Sequence, residues 1–124
     1  MLKGIDISSY QGDIAISPLG VDFVICKATE GLNYVNPWCD TKVQETISLG
    51  LEFGFYHFGR ENDPVAEANY FMENCEGYFR YGVPVLDWER GQSVEWVNTF
   101  VRQVHDVKGI WPLIYANPRY FNIG

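Results

Sequence analysis

Residues 84–90, PVLDWER, place two carboxylates, Asp87 and Glu89, two positions apart at the end of an apolar run. On a strand, residues i and i+2 point to one side, with Cα atoms roughly 6.6 Å apart at a rise of about 3.3 Å per residue. Like charges held that close are costly, and folded chains separate them unless something is done with the pair. An ionised Asp87 discourages ionisation of its neighbour, so Glu89 would keep a transferable proton while Asp87 supplies an anion. General acid and stabilising charge would then stand in one place. The competing reading is a solvated strand end or a helix cap.

The elements that must position the pair alternate along the chain. KGIDIS (3–8) reads as a short strand and DFVICKAT (22–29) as a buried one. A helix is expected over about 37–49, with Val43 and Ile47 on one face and Gly50 as its stop. LEFGFYHFG (51–59) is a third strand, and Asp63 with Pro64 opens a second helix as N-cap and first-turn proline. VPVLDWE (83–89) is a fourth strand, Ser93 starts a third helix that closes at Gly109, and WPLIYAN (111–117) is a fifth strand. This order implies parallel pairing with right-handed crossovers, in a doubly wound open sheet or a β/α barrel.

Side-chain parity separates the two architectures. Val83, Val85, Asp87 and Glu89 share one face of the fourth strand, while Leu86 and Trp88 suit the helix side. The same alternation sets Asp6 opposite Ile5 and Ile7, places Lys27 with Phe23, Ile25 and Thr29, and aligns Tyr56 with Gly54 and Phe58. Tyr115 falls with Leu113 and Asn117. The second and third strands are apolar on both sides, so their facing is a choice. With the Lys27 and Tyr56 sides taken, one face collects Asp6, Lys27, Tyr56, Asp87, Glu89 and Tyr115 near the C-terminal strand ends, where a β/α barrel opens at its mouth. His57 has the opposite parity and reads as a core histidine, and the tryptophans read as packing residues. Tyr34, in the loop before Asn36 and Pro37, is either a turn anchor or a sugar contact.

Composition narrows the function classes. The chain has 124 residues, a 47% apolar share and a formal net charge of −7. That describes one domain with a real core and no basic surface for nucleic acid. No apolar run is long enough to cross a bilayer. Cys26, Cys39 and Cys75 are too few and too scattered for a disulfide framework, and no His or Cys pair has metal-ligand spacing. A hydrolase using Asp6, Asp87 and His57 around a metal would need His57 on the other face.

Four segments, GIDISSYQG (4–12), DFVICKATEGLNYVNP (22–37), GFYHF (54–58) and PVLDWE (84–89), resemble the family 25 glycoside hydrolases, the Chalaropsis-type lysozymes. The resemblance implies a modified β/α barrel and cleavage of the β-1,4 bond between N-acetylmuramic acid and N-acetylglucosamine in peptidoglycan, with no metal or cofactor. It makes Glu89 the general acid, Asp87 its partner carboxylate and Asp6 the acidic residue of the first strand. Lys27, Tyr56 and Tyr115 match polar positions lining the family's cleft and become substrate-binding positions, with Tyr34 as a further candidate contact. The negative group would act on water or on the substrate's own acetamido group.

A β/α barrel takes roughly 200 residues or more, and the family also uses an aspartate from a late strand that this sequence does not reach. Residues 1–124 are thus expected to form the N-terminal portion of a family 25 catalytic domain, a partial barrel of about five strands. Either they belong to a longer enzyme, or two copies pair through the open edges as a homodimer. A peptidoglycan-binding fragment without catalysis is the alternative function. The N-terminus turns polar too soon for a signal peptide. The expected setting is that of a phage endolysin, cytoplasmic until released to the cell wall, or extracellular by another route.

Overall fold

The computed structural model describes residues 23–116 and the backbone of residues 4–7. Five parallel strands are ordered β1 (Gly4–Ile7), β2 (Phe23–Glu30), β4 (Glu52–Phe58), β5 (Val83–Trp88) and β6 (Leu113–Ala116). A two-residue strand, β3 (Tyr34–Val35), turns back antiparallel onto β2. Helices α1 (Cys39–Ser48), α2 (Pro64–Asn74) and α3 (Val94–Lys108) carry the crossovers, and a 3₁₀ turn at Glu76–Arg80 follows α2.

The expected helix punctuation is present. Asp63 accepts a hydrogen bond from the Ala66 N–H at 2.9 Å with Pro64 in the first turn, and Ser93 accepts from the Trp96 N–H at 3.1 Å. Gly109 ends α3 in the left-handed region at φ +76°, where a Cβ would be strained. All three helices pack on one face of the sheet. Val24, Cys26, Phe55, His57 and Leu86 meet Val43, Ala68, Phe71, Val97 and Phe100 there, all buried. The Phe55 ring lies 4.9 Å from Phe79 and 5.5 Å from Phe71, so truncating it would open a cavity costing about 3–5 kcal/mol.

The other face carries Gly54 and Tyr56 of β4, Val83, Val85 and Asp87 of β5, and Leu113 and Tyr115 of β6. Val83 and Leu113 are exposed, as expected for an inner barrel face without its remaining staves, whereas Val85 is buried. Several expectations are corrected. A bulge between Lys27 and Thr29 shifts the β2–β4 register, so Thr29 turns to the helix side and leaves the Lys27 face. β5 stops at Trp88, one residue before Glu89. Trp38 is exposed rather than packed, and Trp111 lies outside β6, stacked on His105 at 3.9 Å.

Candidate active site

Asp87 is the centre of the inner face. Register sets it between Phe58 of β4 and Tyr115 of β6, and its backbone carbonyl accepts the Gly59 N–H at 3.0 Å. Its buried side chain lines a cavity of about 180 Å³ with Ile25, Tyr56, Val85 and Tyr115. Two rings and a carboxylate thus face a space open on one side, a combination that suits a sugar ring. Glu89 follows in the connection after β5, half-buried.

Lys27 and Tyr34 form a second corner at the end of β2. The bulge that turns Thr29 inward brings Glu30 to Lys27, whose Nζ lies 2.5 Å from Glu30 Oε1. The same ammonium sits 5.2 Å from the Tyr34 ring centroid and 5.1 Å from that of Phe58. Arg60, from the loop after β4, reaches Glu30 Oε2 through Nε at 2.6 Å and through a second guanidinium nitrogen. Burial alone would raise the Glu30 carboxyl, but hydrogen bonds and charge from Lys27 and Arg60 outweigh it and hold the group below its usual value. Lys27 is thus ion-paired with Glu30. A groove of about 500 Å³ runs past this cluster, with Asn33, Asn62 and Arg90 on its walls.

Behind the groove lies a buried polar chain. The Thr29 hydroxyl is 2.7 Å from His57 Nδ1, and His57 Nε2 is 2.8 Å from Glu67 Oε1. Burial pushes the imidazole's pKa down despite the carboxylate beside it, so His57 is neutral. A neutral ring bonded at both nitrogens requires the Thr29 hydroxyl to donate to Nδ1 and Nε2–H to donate to Glu67. Glu67 also accepts the Arg60 N–H, the Asn62 N–H and the Asn62 side-chain amide, each at 3.0 Å. Burial would raise this carboxyl too, and these donors lower it instead. His57 therefore takes the core role its parity implied.

Of the sequence-derived positions, Asp87, Tyr56 and Tyr115 share one cavity, and Lys27 and Tyr34 share a neighbouring corner. Glu89 lies in the connection after β5, one residue past the alternation that set it on the Asp87 face. β1 sets the Asp6 backbone beside Ile25, while its side chain lies outside the described residues. Glu30, Arg60 and Glu67 were missed. Glu67 left a trace, since it falls one position before Ala68 on the inward stripe of α2, where an acid needs a buried partner.

Residues 5–124 match the family described as glycosyl hydrolases family 25. The chain belongs to that family. Over 128 residues this family 25 chain is 34% identical to the autolytic lysozyme of Clostridium acetobutylicum, which spans 97% of this chain and 40% of the relative. It is 33% identical to the N,O-diacetylmuramidase of Chalaropsis sp., over 98% of this chain and 68% of that protein. The solved family GH25 lysozyme of Aspergillus fumigatus superimposes with a TM-score of 0.84 at 28% identity, over 98% of this chain and 68% of that one. The family 25 chain thus spans 40% to 68% of the proteins it is compared with, and its own fold is a partial β/α barrel.

Proposed function

We propose that the protein carrying this chain hydrolyses peptidoglycan, cleaving the β-1,4 bond between N-acetylmuramic acid and N-acetylglucosamine. The observation that carries this reading is the buried Asp87 at the C-terminal end of a parallel strand, facing Tyr56 and Tyr115, two residues before Glu89, in a family 25 chain. Relatives named lysozyme and N,O-diacetylmuramidase support it.

In this reading Glu89 donates its proton to the glycosidic oxygen as the C1–O bond breaks. Asp87 remains ionised, with Asp6 as a further acidic group, and stabilises the oxocarbenium-like state. It does so by orienting a water or the substrate's acetamido group. Water then adds at C1 and its proton restores the acid. Tyr56 and Tyr115 offer ring faces to the sugar, and Lys27, locked by Glu30, holds Tyr34 at the rim. General acid catalysis contributes about 10²–10⁴-fold, so Glu89→Gln in the full-length protein should lower wall clearing by at least that factor while binding to walls persists. Clearing at the parent rate by Glu89→Gln would sink the assignment.

A second reading rests on the exposed Val83 and Leu113 of the inner face. Standing alone, residues 1–124 would be a peptidoglycan-binding fragment with weak or absent lysis, or would pair as a homodimer through that face. The proposed setting is endolysin-like, with release from the cytoplasm to the wall, which the lysozymes of Streptococcus phages among the relatives support.

A further inference from the structure

We propose that Gln92 is the positioning residue for Glu89, an inference that rests on the muramidase reading and extends it. Glu89 lies past the end of β5, and bonds from both of its neighbours converge on this one residue. Gln92 is buried and uses both ends of its amide. Nε2–H donates to the Arg60 carbonyl at 2.8 Å, and Oε1 accepts the Arg90 N–H at 3.1 Å. Its backbone carbonyl accepts the Trp88 indole N–H at 2.9 Å. The residues immediately before and after Glu89 are thus both tied to Gln92.

The clamp stands on fixed ground. Arg60 and Asn62, the loop that Gln92 grips, are held through their N–H groups by the two carboxylate oxygens of the fully buried Glu67. Gly59 leaves the amide its space, because a Cβ there would stand 2.9 Å from Gln92 Nε2 and 3.4 Å from the Trp96 ring. The chemistry calls for an amide: it must give one hydrogen bond to a carbonyl and take one from an N–H. A carboxylate would set an anion against the Arg60 carbonyl oxygen. A proton donor misplaced by even 1 Å loses about 10²-fold in rate.

The test uses the full-length protein that carries this chain, on purified peptidoglycan. Gln92→Leu keeps the volume and removes both amide bonds. We expect kcat to fall tenfold or more with KM within twofold, since Tyr56 and Tyr115 are untouched. In a Glu89→Gln background the same substitution should cost nothing further, because its effect passes through Glu89. If Gln92→Leu does not fold by circular dichroism, Gly59→Ala, which displaces the amide, takes its place with the same expected split. Unchanged kcat, or the full loss repeated on top of Glu89→Gln, would overturn the inference alone. No hydrolysis by the parent protein would overturn the proposed function and this inference together.

Discussion

Replacing Glu67 by Gln isolates the buried polar chain behind the groove, because size is kept while one acceptor becomes a donor. Glu67 receives four N–H groups: His57 Nε2 at 2.8 Å and Arg60 N at 3.0 Å on one oxygen, and Asn62 N and Nδ2 at 3.0 Å on the other. Whichever way the new amide turns, its NH₂ faces two donors. The least costly turn sets that NH₂ against Asn62, whose exposed side chain can turn to water, so one backbone donor loses its acceptor at a cost of about 1–3 kcal/mol. For a domain of this size that corresponds to a midpoint lowered by on the order of 10 °C. Thermal and urea unfolding at pH 7, followed by near-ultraviolet circular dichroism, would read it. The sign with pH follows from the lowered carboxyl. Its contribution is present above the unfolded-state value of about 4.3 and is lost as pH falls through the folded one, so parent and variant should converge in acid. A loss under about 1 kcal/mol at pH 7, or a gap that widens in acid, would refute this account of the chain.

Three further outcomes follow from the same geometry. His57 is held neutral by burial, so its folded pKa lies below the unfolded value of about 6.5 and stability should fall as pH drops below that value. Imidazole NMR shifts typical of imidazolium at pH 7 would contradict this. Asp63→Ala removes the α2 cap and should cost about 1 kcal/mol by urea unfolding, with no change on moving the substitution to exposed Glu61. Residues 1–124 alone should self-associate at low micromolar concentration through the face bearing Val83, Leu113 and Tyr115, and a stable monomer by light scattering would argue otherwise.

The strand–helix order, the caps at Asp63 and Ser93 and the stop at Gly109 were legible because each is a local signal: an apolar period, a side-chain acceptor or a left-handed glycine. The inner-face position of Asp87 followed from parity in β5, where the carboxylates mark one side, whereas β4 is apolar on both sides and parity alone did not choose the Tyr56 face. Parity failed at Thr29 because residues 22–29 are apolar on both faces, and a bulge leaves no compositional trace. Its consequence, Glu30 turned to Lys27 and Arg60, was hidden with it. β3 is two residues long, too short for any alternation to show. Gln92 and Arg60 are joined across 32 positions, a pairing that only the folded strand ends bring together.

The most direct measurement is of the new reducing ends released from purified cell walls by the full-length protein that carries this chain, with Glu89→Gln in parallel. N-acetylmuramic acid at those ends, released by the parent and reduced at least about 100-fold in the variant, is the predicted result. N-acetylglucosamine at the reducing ends, or equal release from the two proteins, would contradict the assignment of Glu89 and Asp87.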